Sequence, residues 1–263
     1  WVTGQVPIRA AGDGSVPAPG WANSHEWIGM VPFEAMPHAL NPKGGIIISA
    51  NHRLLPPEKS PHNFGQLWRN GYRAERIRQL LNESPKLSPA DCRHIQLDLL
   101  SLPGLQLVGL LNGLKVSHPA AQSALNLLQD WDGNLPPDSI GGTVFQVLVE
   151  QLTKNLLPEK VPPGLLPHLL GKGMSENLHP VNEFQGYWLV NLLEILSRVP
   201  SPWFDSMATR SKLLEKCLVE ATAVLQQRLG DNHADWQWGR LHQVTFRHAL
   251  GQLAPFDQVF NVG

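Results

Sequence analysis

Charge is scarce in this chain of 263 residues: Asp, Glu, Lys and Arg make up 16% of it, against roughly 25% in ordinary soluble domains. The formal net charge is -1 and no basic run occurs. That excludes the electrostatic footprint needed to hold nucleic acid or an anionic membrane surface. Cysteine is nearly absent, with Cys92 and Cys217 alone and no CxxC or Cys/His spacing of a zinc site. Both fall in helical text, where two buried free thiols are one reading and a single long-range disulfide the other. No signal-peptide pattern is visible, and no apolar run reaches the roughly 20 residues of a membrane-spanning helix. A phosphate loop of the GxxxxGK kind is missing too, and Gly171-Lys172-Gly173 is too short to cradle a phosphate. What is plentiful is apolar text, at 42%. The chain can therefore bury a sizeable core as one large domain or two small ones. The charge deficit fits apolar faces that meet the rest of a larger body, or a partner.

The expected fold class is α+β. Residues 1–60 form the strand-rich part, dense in Pro, Gly and Trp. Trp1 to Arg9 alternates and predicts a strand, Gly12-Asp13-Gly14-Ser15 a turn, and Trp21 to Phe33 a strand or hairpin. Asn41-Pro42-Lys43-Gly44-Gly45 launches Ile46-Ile47-Ile48, which predicts a buried strand ending on Ser49-Ala50-Asn51.

Residues 61–263 are mainly helical. Ile77, Leu80 and Leu81 put one apolar face on Ala74 to Asn82. Ser88-Pro89-Ala90-Asp91 is a helix start, and that helix is expected to stop before Pro103-Gly104. His118-Pro119 opens another helix, which runs to Trp131-Asp132-Gly133. Asp138-Ser139 caps one reaching about Leu156, and Pro162-Pro163 to Gly171 holds a short apolar turn of helix. Glu183 to Arg198 and Met207 to Leu229 are the longest helical texts, the second stopped by Gly230. Between 235 and 263 aromatics and small residues return, and the chain is expected to rejoin the sheet region there.

Three groups of residues invite chemistry. Asn51, where a strand leaves its sheet, is placed to donate a side-chain hydrogen bond to a developing oxyanion. Its plainer reading is a turn cap. Arg76 shares a helix face with Leu80, so a core-facing Leu80 draws Arg76 inward, where Glu34 or a carbonyl has to pair it. Otherwise it is a solvated surface Arg. Eleven histidines are present, yet His233, His242 and His248 lack metal-helix spacing such as HExxH and read as structural. Asp13, Glu26 and Glu34 sit in Pro-Gly turn text, which favours turn chemistry over a paired acid and base.

Around Asn51 the text carries an ordered set of motifs. They run Val6-Pro7-Ile8-Arg9, Gly12-Asp13-Gly14, Pro19-Gly20-Trp21, Glu26-Trp27-Ile28-Gly29 and Val31-Pro32-Phe33-Glu34-Ala35-Met36-Pro37. Leu40-Asn41-Pro42, Ala50-Asn51-His52-Arg53 and Tyr72-Arg73-Ala74-Glu75-Arg76-Ile77 follow. Later echoes are Gln96-Leu97-Asp98, Trp131-Asp132-Gly133, Asp138-Ser139 and Trp238-Gly239 with His242, Phe246 and His248. In order and spacing this resembles the penicillin acylase (penicillin amidase) family of N-terminal-nucleophile amidohydrolases.

The resemblance implies two chains cut from one precursor by autocleavage, in a secreted or periplasmic bacterial enzyme. The larger chain's new N-terminal Ser is the nucleophile, with its own α-amine as base. Asn51 matches the family's oxyanion-hole Asn, and Arg76 an Arg that orients groups around the nucleophile. The implied body is a four-layered αββα sandwich, of which this chain would hold some strands with unprotected edges. The chain starts at Trp1 and an internal Ser has no free amine, so it looks like an internal piece of the large (beta) chain, expected to be inactive alone. Its partners would be the remaining segments of its own precursor. The substrates implied are amides of hydrophobic acyl groups, such as β-lactam side chains or acyl-homoserine lactones. The family also binds calcium; where it places an Asp ligand this sequence has His62-Asn63-Phe64, so no metal ligand is assigned. The other function class is a non-catalytic helical interaction module with an acylase-like sequence, which the low charge and abundant Leu would suit.

Overall fold

A computed structural model describes residues 4–66, 68–83, 86–169, 184–244, 246, 248–252 and 254–260. Gly171-Lys172-Gly173 and the predicted helix start at Glu183 lie outside them. Packing divides the chain into two compact units, residues 1–97 and 98–263, beyond the change in text at residue 60.

The first unit holds two short strands, β1 (Pro7–Arg9) and β2 (Trp27–Met30), paired antiparallel with Ile8 opposite Gly29. A bulge between Ile8 and Arg9 lets Arg9 face Trp27, with its guanidinium 5.7 Å from the ring centroid. The predicted strand at Ile46-Ile47-Ile48 does not form. That run has no regular secondary structure and no strand partner among the described residues, and Ile47 is 67% exposed. β-Branched residues favour extended backbone, yet a strand needs an edge to pair with, and no described edge lies beside this run. Much of the rest of residues 4–70 is turns and 3-10 pieces at Asn23–His25, Phe33–Ala35 and Pro57–Lys59. The unit closes with helices α1 (Tyr72–Asn82) and α2 (Pro89–Gln96). α1 buries Ala74 and Leu80. α2 begins on the predicted capping box, in which Ser88 Oγ accepts from Asp91 N–H and the Asp91 carboxylate accepts from Ser88 N–H.

The second unit is helical. α2 stops at Gln96, ahead of the expected limit at Pro103, and an unforeseen helix α3 (Leu102–Leu111) follows: Pro103 sits in its first turn, where the missing N–H costs nothing, and Ser101 Oγ accepts from Gly104 N–H. α4 (Pro119–Gln129) starts at His118, α5 (Ile140–Lys160) at Ser139, and α6 (Leu166–Leu169) is one turn. α7 (Phe184–Ser197) and α8 (Met207–Leu229) follow, with Gly230 ending α8 at φ 92°. α5 lies against α8 and α4, and α3 against α7. Leu107, Leu111, Leu125, Leu148, Leu192 and Leu218 fill the space between with essentially no exposure.

Beyond residue 235, where the sequence predicts a return to the sheet, the described residues include no named strand, and a β-bridge position at Phe246 is the sole sheet-like feature among them. The described residues there form the short helices α9 (Trp238–Leu241) and α10 (Asp257–Phe260) and a 3-10 turn at Ala249–Gln252. The segment docks on α5 instead: Trp238 N–H reaches Ser139 O, Gly239 N–H reaches Pro137 O at 2.6 Å, and Trp236 is fully buried. Trp236 and Trp238 are the aromatics of this docking, while Phe246 stays 72% exposed.

Candidate active site

Asn51 sits at the end of the unpaired isoleucine run, in the left-handed region at φ 61°. Asn tolerates this conformation better than most residues with a side chain. Three bonds hold the turn. Asn51 O accepts from Arg69 N–H at 2.7 Å, and His52 and Arg69 form an isolated parallel bridge. Arg73, in the first turn of α1, donates from Nη2 to Ala50 O at 2.9 Å and to Asn51 Oδ1 at 2.5 Å.

The last contact decides how the Asn51 amide faces. A guanidinium only donates, so the atom beside it has to be the oxygen. With Oδ1 held, the Nδ2 amino group is the end left to bind a ligand, and it can only donate. A fixed donor on a turn is what an oxyanion requires.

The sequence singled out Arg76 as an arginine that orients groups around the nucleophile; the arginine on the Asn51 amide is Arg73, three residues earlier on α1. Arg76 is half-buried and donates from Nη1 to Gln79 Oε1 at 3.3 Å. The neighbouring Leu80 is buried, as the helix pattern required. Arg73 was legible as a helix residue, but its reach to a turn 22 positions upstream depends on how α1 packs. Tyr72, beside it, has its phenol pushed above the usual value by partial burial.

Close to this turn lies a cleft of about 270 Å³, lined by Arg53, Leu54, Leu55, His62, Phe64 and Trp68 among others. His62, Asn63 and Phe64, noted above as a departure from the family, line its wall. His62 meets Phe64 edge-on at 6.4 Å. Calcium needs six to eight oxygen ligands with carboxylates among them. Among the described residues no Asp or Glu lines this cleft, and Asn63 Oδ1 accepts from Gly65 N–H, so the described donors here do not suit that ion. Among the described residues no cluster of three His, Cys, Asp or Glu is placed to hold a metal. No described helix is long and apolar enough to cross a membrane.

The cysteines part company. Both are free; Cys217 is buried on α8 while Cys92 is exposed on α2. Burial pushes the Cys217 thiol up to about 12, with the Glu220 carboxylate adding to the shift.

Comparison with known proteins agrees with the motifs. The profile of the penicillin amidase family matches residues 1–263. The penicillin acylase 2 proenzyme of Pseudomonas sp. (strain SE83) is 29% identical over 272 residues, spanning 97% of this chain and 31% of the relative. The acyl-homoserine lactone acylase QuiP of Pseudomonas aeruginosa is 25% identical over 274 residues, again covering 97% and 31%. Penicillin G acylase of Escherichia coli is 30% identical over 61% of this chain and 20% of its own length. Among solved structures, a thermostable penicillin G acylase from Alcaligenes faecalis superposes with a TM-score of 0.63 at 21% identity, covering 88% of this chain and 45% of that one. The chain thus spans about a third of the length of the curated relatives it matches, and over its own whole length it belongs to the penicillin amidase family.

Proposed function

We propose that this chain supplies the oxyanion donor of an amidohydrolase that cleaves amides of hydrophobic acyl groups. In this reading the nucleophile is the N-terminal Ser of the larger chain in a longer, self-cleaving acylase, and residues 1–263 do not turn over substrate without it. The observation that carries the reading is the Asn51 amide, turned by Arg73 so that Nδ2 donates.

The chemistry balances simply. The Ser hydroxyl oxygen attacks the amide carbon and gives its proton to the Ser α-amine, while the carbonyl oxygen becomes an oxyanion held by Asn51 Nδ2. Collapse breaks the C–N bond, the amine leaves with that proton, and water then hydrolyses the acyl ester by the same route. Arg73 is a positioning residue, and Arg76 contributes positive charge to the frame around the nucleophile. Asn51 is exposed in its unit, whereas an oxyanion donor acts best shielded from water. The proposal assigns that cover to the rest of the acylase body, with its αββα sandwich, in a periplasmic or secreted enzyme. Support comes from the family match and from the 31% span of the relatives.

The test is turnover of a phenylacetyl anilide by the protein expressed from its full reading frame. Asn51→Ala should lower kcat by roughly 10²–10³. Asn51→Gly, which accepts the positive φ without strain, should fall by as much, separating the amide from the backbone. Near-normal kcat in both variants would remove Asn51 from the mechanism. Turnover by residues 1–263 alone would place the nucleophile inside this chain.

A further inference from the structure

We infer that His52 is a positioning residue for the oxyanion donor: its neutral imidazole latches the turn that presents Asn51, and a protonated ring releases it. This role rests on the acylase reading, since it concerns how the Asn51 amide is held. Ala50 is 4% exposed, so both polar groups of its peptide need partners inside the protein. Its carbonyl accepts from Arg73 Nη2 at 2.9 Å. Its N–H donates to His52 Nδ1 at 3.4 Å. Among the described residues that ring is the one acceptor of the Ala50 N–H.

The contact fixes the tautomer. A ring nitrogen that accepts carries no proton, so Nδ1 is bare and Nε2 bears the hydrogen. The half-buried His52 ring thus reaches back across Asn51 to the residue before it, closing the turn in which Asn51 holds its φ of 61°. The backbone of His52 is itself tied down by its bridge to Arg69. A protonated imidazole has N–H on both nitrogens and accepts nothing. It turns a donor towards the Ala50 N–H and leaves that buried group unpaired. It also adds positive charge to a turn that Arg73 bonds, Arg69 bridges and Arg53 follows. Among the described residues neither Arg53 nor Arg73 forms a salt bridge. The other titratable groups on these strips are His62, in the cleft with Arg53, and Tyr72, beside Arg73. Tyr72 stays uncharged in acid, since burial pushes its phenol up. With Ala50 released, the Asn51 amide loses the fixed aim that a preorganised donor needs.

The test is the pH profile of kcat and KM for a phenylacetyl anilide, measured on the protein expressed from its full reading frame. It spans about pH 5–8, where imidazoles change charge. His52→Ala removes the acceptor and should lower kcat by about tenfold near neutral pH, with KM nearly unchanged. His52→Asn supplies a side-chain oxygen that accepts without titrating, so it should recover most of that loss. The α-amine of the nucleophile titrates in every variant, so the readout is the kcat ratio of His52→Asn to the unsubstituted protein. That ratio should rise about tenfold from neutral pH to about pH 5. A ratio that stays flat overturns the release, and full kcat in His52→Ala overturns the positioning role. Both results leave the acylase reading intact. Turnover of no amide by the full-length protein sinks the acylase reading instead, and the latch is then judged by hydrogen exchange at Ala50, corrected for the intrinsic rate. Protection lost in acid by the unsubstituted protein but kept in His52→Asn supports the latch; equal protection in the two across the range overturns it.

Discussion

The two units of this chain solve the problem of order differently. In residues 98–263 the helices bury large side chains completely. Trp131 stacks on Phe145 with centroids 5.4 Å apart and donates from its indole to Asn134 O at 2.6 Å. Gly104 and Gly141 leave room for that ring, since a Cβ at either would overlap it. Trp188 donates to Thr153 Oγ1 at 2.7 Å, joining α7 to α5 through a buried polar bond. Residues 4–66 and 68–83, by contrast, leave Trp21 91% exposed, Leu40 85% and Ile28 68%. Their shape rests on turns, a seven-residue pair of strands and side-chain bonds such as Arg73 to Asn51. The candidate site lies in the less packed unit. Stability and chemistry are thus separable here: one unit carries a core, and the other carries a donor held by a few directed bonds.

Cysteine labelling breaks the comparison most sharply. In the native protein iodoacetamide should modify exposed Cys92 at least about a thousandfold faster than Cys217, which requires opening of a packed core and carries a thiol pushed up to about 12. Similar rates, followed by mass spectrometry, would show that α8 is not stably packed. Next in size is Trp131→Ala, expected to destabilise residues 98–263 by about 3–5 kcal/mol in urea titration followed by circular dichroism. A loss below about 1 kcal/mol would deny Trp131 its place in the core. Ser88→Ala removes the cap of α2, a helix with no buried residue. It should cost about 1 kcal/mol locally, visible as faster amide exchange across α2 with the main unfolding transition unmoved.

The smallest effect is a pH dependence. Glu215 on α8 accepts from Ser117 N–H, Ser117 Oγ and His118 N–H at 2.6–2.9 Å. These bonds, the His118 backbone first, hold its carboxyl below the ordinary 4.5. A carboxyl depressed in the folded state adds stability that is full above its unfolded value and is lost as pH falls through the folded one. Acid titration of the melting temperature should therefore decline less steeply below about pH 4.5 in Glu215→Gln than in the unsubstituted chain. Identical slopes would remove Glu215 from the acid response.

Much of the helical unit was legible because its cues are local. Ser88, His118, Ser139 and Gly230 mark helix ends by chemistry that acts within four residues, and the structure uses each of them. α3 was missed because Pro103 was read as a stop, although the same residue is favoured in a first turn and its neighbour Ser101 supplies the cap. The strand expectation at Ile46 to Ile48 failed for the opposite reason. β-Propensity is local, but pairing needs a second edge, and propensity does not say where that edge lies.

The sequence by itself determined the family, through ordered motifs, and most of the helix boundaries, through capping and periodicity. It also singled out Asn51 as a candidate from residue type and setting. Only the tertiary structure decided that Arg73 is the arginine on that amide, and that Trp236 and Trp238 dock against the start of α5. Each of those outcomes depends on groups brought together across 22 or about 100 positions, where sequence spacing carries no distance and packing sets the contact.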